Sequence, residues 1–232
     1  MARASERRLR LLRDARPAIL PSLLLCDFAH LADEVRRVEE AGAAGLHLDV
    51  MDGRFVPNLT YGMPIVAAVR RLSDLPLDVH LMISEPARYV AEFIEAGADV
   101  VTIHAEAVDD PRELLTQIRR RGAAAGLALN PRTPLERAAD VAPCCDLILT
   151  MSVEPGFGAQ PFETVALDKL RSLRSTTPAE TILEVDGGVN AQTIASCVAA
   201  GAGALVVGSA IFRRPDGDYR QALVDLRAAA GA

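Results

Sequence analysis

His47, Asp49 and Met51 stand two apart in His47-Leu48-Asp49-Val50-Met51-Asp52-Gly53, a run that reads as a strand entering a turn. Side chains alternate along a strand, so an imidazole, a carboxylate and a thioether share one face. Leu48 and Val50 point the other way, toward covering helices. Such a pairing suits a metal ion or proton transfer. Asp78-Val79-His80-Leu81-Met82 puts His80 and Met82 on a common face, and Glu184-Val185-Asp186-Gly187-Gly188 adds Asp186. The set His47, Asp49, His80 and Asp186 suits one borderline divalent ion: Zn, Fe, Mn or Co. A lone histidine on a strand is more often a satisfied core residue. Two at the ends of neighbouring strands, one paired with aspartate, favour the metal. His104 reads as structural or as a residue behind the ligands, and His30 as a surface or capping residue. Met51, Met82 and Met151 share strand-end positions, which suits either core filling or a water-poor wall around reacting carbons.

Glycine forms a second cluster. Glu154-Pro155-Gly156-Phe157-Gly158-Ala159-Gln160, Gly187-Gly188-Val189-Asn190 and Gly208-Ser209-Ala210 each follow an apolar run, with Asn190 placed as a helix N-cap. Each alone is equally a turn. Three at successive strand ends favour a phosphorylated substrate held by backbone N–H groups and helix N-termini. The chain has one lysine, Lys169, in a run with helical spacing. A Schiff-base lysine projects from a strand end into a pocket, so that chemistry is excluded.

These residues need a scaffold that brings strand ends together. The chain repeats one phrase, a helical segment ending in Gly-Ala and then a short apolar run: Gly42-Ala43, Gly97-Ala98, Gly122-Ala123 and Gly201-Ala202. Glycine just past a helix supplies the left-handed cap, and strands buried on both faces are apolar throughout. The pattern predicts strands at Ile19–Leu23, Leu46–Val50, Leu77–Leu81, Val100–His104, Ala125–Leu129, Leu147–Thr150, Thr181–Val185 and Ala204–Val207. Helices are predicted at Leu31–Ala41, Pro64–Arg71, Ala87–Ala96, Pro111–Arg121, Pro134–Ala139, Glu163–Arg174, Ala191–Ala200 and Tyr219–Ala228. Eight such units predict an α/β fold, a (β/α)8 TIM barrel of the phosphate-binding type, with its site at the C-terminal strand ends. An open doubly wound sheet is the alternative, weakened by the lack of G-x-G-x-x-G after the first strand.

The 232 residues suffice for one core, and no run is long enough to span a membrane. Residues 17–232 read as a single catalytic barrel and 1–16 as a basic extension. The extension carries a net charge of +4 within a chain of −6, leaving the rest at −10. It reads as a helical or frayed leader, as an early start codon would give, with oligomer contacts as a less favoured role. An acidic body with few aromatics argues against nucleic acid as a partner. Cys26, Cys144, Cys145 and Cys197 lack zinc-like spacing and read as free thiols in a reducing cytoplasm.

The run from His47 to Asn58 and the segment Asp78 to Met82 resemble signatures of the ribulose-phosphate 3-epimerase family. Met151-Ser152-Val153-Glu154-Pro155-Gly156-Phe157-Gly158 and Val185-Asp186-Gly187-Gly188-Val189 resemble that family's other motifs, in order and with similar spacing from about Pro17 onward. The resemblance implies a metal-dependent barrel that interconverts D-ribulose 5-phosphate and D-xylulose 5-phosphate, one divalent ion per subunit, and a homo-oligomer. By position, His47, Asp49, His80 and Asp186 match the metal ligands, and Asp49 and Asp186 the acid–base pair. Ser22, His80, Gly156, Phe157, Gly158, Ala159, Asp186, Gly187, Gly188, Gly208 and Ser209 match substrate-binding positions.

Two positions depart from the pattern. Ala159 stands where the family usually has glycine, which costs little unless the site needs positive φ. Leu24-Leu25-Cys26 replaces a small polar segment before Asp27-Phe28. Epimerisation at C3 needs a proton removed from one face and returned to the other, which two carboxylates supply. The implied metal stabilises the enediolate oxygens. A 3-epimerase of another ketose phosphate, such as allulose 6-phosphate, is the nearest rival. Decarboxylases of related shape use Asp-x-Lys-x-x-Asp, and Met51 holds the lysine position here. A non-catalytic phosphate binder is disfavoured, because both acid–base carboxylates are kept.

Overall fold

The computed structural model describes residues 2–15 and 17–231; Met1 and Arg16 of the basic extension lie outside them. Eight strands alternate with helices: β1 Ala18–Pro21, β2 Leu46–Met51, β3 Leu77–Met82, β4 Val100–His104, β5 Ala124–Leu129, β6 Leu147–Met151, β7 Ile182–Asp186 and β8 Ala204–Val207. The helices are α1 Ala2–Asp14, α2 Leu31–Glu40, α3 Met63–Leu72, α4 Val90–Glu95, α5 Arg112–Arg120, α6 Glu136–Ala139, α7 Val165–Thr176, α8 Ile194–Ala199, α9 Ser209–Phe212 and α10 Tyr219–Ala230. All ladders are parallel, in the order β1-β8-β7-β6-β5-β4-β3-β2. One parallel bridge, Ser22 to His47, joins the two ends and closes the sheet. This is the predicted (β/α)8 barrel.

The alternation of strand residues divides the apolar interior in two. One set, including Leu46, Leu48 and Val50 of β2 and Val66 and Val69 of α3, fills the space between barrel and helices. The other, including Leu20, Val100, Ala128, Leu149 and Met151, fills the barrel itself. On β2 the inward positions are therefore His47, Asp49 and Met51, and all six β2 residues are buried. The barrel packs tightly: a methyl on Gly126 of β5 would sit 2.1 Å from the Thr102 hydroxyl on β4.

Most boundaries differ from the predicted ones by one to three residues, and two of the shifts have a plain local reason. β1 ends at Pro21 rather than Leu23, because the Ser22 hydroxyl accepts from the Leu24 N–H and starts a 3-10 turn. Before α8, Asn190 caps a separate turn instead of the helix. Its side-chain oxygen accepts from the Gln192 N–H at 2.8 Å and its carbonyl from the Thr193 N–H at 3.1 Å, so the helix starts at Ile194. The basic extension is helical over Ala2–Asp14. Leu9 and Leu12 of α1 bury themselves among the barrel-interior residues at the N-terminal strand ends, and Arg8 reaches Asp99 at 3.3 Å.

Candidate active site and metal centre

The C-terminal end of β2 is built to hold its side chains still. Between β1 and β2 only one backbone bridge forms, so β2 lacks a full ladder on that edge. Side chains from the following loop take its place. Thr60 Oγ1 donates to the Asp49 carbonyl at 2.7 Å and accepts from the Met51 N–H at 2.9 Å. The Tyr61 hydroxyl accepts from the Asp49 N–H at 3.0 Å. Sequence reasoning passed over Thr60 and Tyr61, because only closure of the barrel exposes the gap they fill.

His47, Asp49, His80 and Asp186 converge from β2, β3 and β7. Each offers a ligand atom within 4.8 Å of the others. His47 Nε2 lies 3.3 Å from Asp49 Oδ1, and His80 Nδ1 lies 3.4 Å from the same atom. Neither nitrogen makes a hydrogen bond, although both rings are fully buried. A buried, unsatisfied ring nitrogen is costly in a folded protein. Two of them aimed at two carboxylates are what a cation would satisfy, and the imidazole–carboxylate donor set fits a borderline divalent ion.

The opposite nitrogens are held from behind. His47 Nδ1 lies 2.6 Å from Asp78 Oδ2, and His80 Nε2 lies 2.8 Å from His104 Nε2. Asp78 shares the inward face of β3 with His80, so its role was readable from strand parity. Glu184, two before Asp186 on β7, lies deeper, with its Oε1 3.8 Å from His47 Nδ1. Burial and the neighbouring Asp78 push Glu184 well above the usual carboxylate range.

The carboxylates of Asp49 and Asp186 sit in different surroundings. Burial works against the charge on Asp49, but His47 and His80 outweigh it and hold Asp49 well below the carboxylate range. The Ser22 hydroxyl donates to Asp49 Oδ2 at 2.6 Å. Asp186 is pushed up to about 7, first by burial and then by Asp49. Burial also opposes a charge on His47, but Asp49 and Asp78 prevail and raise it well above its usual range.

A cleft opens above this cluster. Ser22, Asp49 and Asp186 line it together with Met51, Met82 and Met151, all three methionines nearly fully buried. Leu24 and Leu25, which replace the polar segment of the first loop, line it too. Gly156, Phe157, Gly158, Ala159, Gly187, Gly188, Gly208 and Ser209 surround its mouth. The glycines at the end of β7 are obligatory. Gly187 and Gly188 have φ of 113° and 60°, and a methyl on Gly188 would sit 2.7 Å from the Phe162 nitrogen. Ala159 has φ 62°, so the condition under which this change was expected to carry a cost is met. Lys169 lies outside the cleft. Its Nζ donates to the carbonyls of Asn130 and Thr133, both at 2.6 Å. His30 is exposed and pairs with Asp27 at 2.7 Å.

Comparison with known proteins gives the family and the fold. The family model described as the ribulose-phosphate 3 epimerase family matches residues 18–212. The chain is 47% identical over 214 residues to a ribulose-phosphate 3-epimerase of Synechocystis sp., covering 90% of this chain and 92% of that protein. It is 44% identical over 213 residues to the enzyme of that name from Bacillus subtilis, covering 90% and 97%. A chloroplastic ribulose-5-phosphate-3-epimerase of Arabidopsis thaliana is 45% identical over 215 residues, covering 90% and 76%. Among solved structures, a mutant tryptophan synthase alpha-subunit from Pyrococcus furiosus superposes with a TM-score of 0.67 at 19% identity, covering 94% of this chain and 97% of that one. That likeness concerns the fold alone. The chain belongs to the ribulose-phosphate 3-epimerase family.

Proposed function

We propose that the chain interconverts D-ribulose 5-phosphate and D-xylulose 5-phosphate, with a divalent ion and two carboxylates that exchange a proton at C3. The observation that carries this reading is the environment of those carboxylates. Burial and the neighbouring Asp49 raise Asp186 to about 7, which suits a proton donor near neutrality, whereas His47 and His80 hold Asp49 below the carboxylate range against its burial. They come from β2 and β7, well apart along the chain, and meet across one cleft.

Each residue has a task. Asp49 accepts the C3 proton in one direction, and Asp186 returns one to the other face; reversal exchanges the roles. Ser22 orients Asp49 through its hydrogen bond. His47, Asp49, His80 and Asp186 would hold the ion. Bound there, a divalent ion supplies Lewis acidity to the substrate oxygens that gain charge. Met51, Met82 and Met151 keep water from the reacting carbons. The loops carrying Gly156–Ala159, Gly187–Gly188 and Gly208–Ser209 would hold the phosphate through backbone N–H groups, with no lysine needed.

The same reading covers the rest of the chain. Residues 17–232 are the catalytic barrel and 1–16 a basic extension. The four cysteines are free, which suits a reducing cytoplasm. The chain is taken as a homo-oligomer, which light scattering would check. Among the described residues, no helix is long and apolar enough to cross a membrane.

Side-by-side assays on ribulose 5-phosphate and allulose 6-phosphate, with metal analysis of the same sample, test the proposal. Turnover of the pentulose phosphate should exceed that of the hexulose phosphate. Exhaustive chelation should suppress it, and a divalent transition metal should restore it. Asp186→Asn should lower kcat by at least about 100-fold, because an amide cannot carry the proton. Normal turnover by the metal-free protein or by this variant would refute the mechanism.

A further inference from the structure

His104 and Glu106 lie outside the ligand cluster, yet their geometry fixes which nitrogen of His80 can bind a cation. His80 and His104 stack with ring centroids 4.9 Å apart, and their Nε2 atoms are 2.8 Å apart. A neutral imidazole has one N–H and one bare nitrogen, so this contact needs a single proton between two rings. Which ring supplies it is decided at the far end. His104 Nδ1 lies 3.0 Å from Glu106 Oε2, and a carboxylate only accepts. His104 therefore carries its proton on Nδ1 and presents a bare Nε2. His80 must donate from Nε2, which leaves its Nδ1 bare and facing Asp49 and Asp186.

Glu106 is itself well anchored. Its Oε1 accepts from the Asn130 N–H at 2.8 Å and from the Thr133 hydroxyl. The carbonyls of the same two residues are held by Lys169. Burial alone would raise Glu106, but His104, Thr133 and Asn130 outweigh it and hold the carboxyl at about 2.

We infer that Glu106 and His104 form a positioning relay that sets the tautomer of His80 and so creates a metal-binding Nδ1. The inference deepens the metal-dependent reading above and rests on it for its purpose, not for its geometry. It also gives the chain's one lysine a task, bracing the turn that anchors Glu106.

Glu106→Gln is the discriminating variant. The Asn130 N–H is a fixed backbone donor, so the amide oxygen must stay against it. The amide NH2 then faces His104 Nδ1, which has to become the bare nitrogen. Proton order reverses along the relay, and His80 Nδ1 becomes protonated.

Nitrogen-15 NMR of the four histidines in the metal-free protein reads these tautomers directly. The unaltered chain should show His80 as Nε2–H and His104 as Nδ1–H, and Glu106→Gln should exchange both. Zinc or manganese affinity, measured by chelator competition, should fall about 10–100-fold in the variant. The opposite tautomers in the unaltered chain would overturn the relay whether or not the variant folds. Unchanged tautomers and affinity in Glu106→Gln would overturn it while leaving the metal reading intact. The expected tautomers in a protein that binds neither ion would uphold the relay and refute the metal reading.

Discussion

At the scale of single residues, two groups of the same type are pushed in opposite directions by their surroundings. Asp49 and Asp186 are both aspartates on strand ends, but one sits against two imidazoles and the other against a like charge. Ala159 shows the converse, a backbone demand that its residue type meets poorly. An L-residue with left-handed backbone is strained by about 1–2 kcal/mol. Replacing it with glycine removes that strain but adds about 0.4–1 kcal/mol of freedom to the unfolded chain. Ala159→Gly should therefore stabilise the protein by up to about 1.6 kcal/mol. A rise in the urea midpoint with an unchanged slope would show it; a fall would mean that the methyl makes packing contacts worth more than the strain.

At the scale of elements, the turn after β2 decides how the site is fenced. Asp52 Oδ1 accepts from the N–H groups of Arg54 and Phe55, and Oδ2 from the Ser84 N–H and hydroxyl, all at 2.8 Å. One carboxylate thus ties the loops after β2 and β3 together. Burial opposes its charge, but these donors prevail and hold Asp52 at about 2, below its ordinary 3.8. The sign follows from linkage. A depressed carboxylate stabilises the fold fully above its unfolded value and loses that contribution as pH falls through its folded one. The loss from Asp52 thus falls between pH 3.8 and about 2. In Asp52→Asn, the urea midpoint should be lower at neutral pH and should fall less steeply across that window. An unaltered acid slope would show that the loops are held by other contacts. The α8 boundary carries a related lesson. Asn190 has the cap-forming chemistry read from the sequence, but it caps the turn preceding the helix.

At the scale of the whole molecule, the candidate site and the apolar packing of α1 occupy opposite ends of one barrel. The C-terminal end carries unpaired nitrogens, positive-φ glycines and open space. The N-terminal end is closed by α1, whose Leu12 is 1% exposed among barrel-interior residues. Truncating that side chain leaves a cavity far from the cleft. Leu12→Ala should cost about 2–5 kcal/mol of stability and leave kcat and KM unchanged at 25 °C. Thermal denaturation and steady-state assays on the same preparation test both halves. A changed KM would show that the two ends are coupled.

The sequence by itself determined the eight strands, the eight helices that alternate with them, the barrel and the four ligand-type residues, but not the short helix α9 over Ser209–Phe212. Parity along a strand and the glycine stops after helices are local rules, and each is written in neighbouring residues. His47, Asp49 and Met51 share a face whatever the remainder of the chain does. Tertiary structure decided what those rules leave open. It set which nitrogen of each histidine faces the cluster, because that depends on Asp78 and His104 from adjacent strands. Thr60 and Tyr61 gained their task only when β1 and β2 met through a single bridge. The contrast between Asp49 and Asp186 likewise arises from burial and from charges brought close by barrel closure, distances that no spacing along the chain encodes.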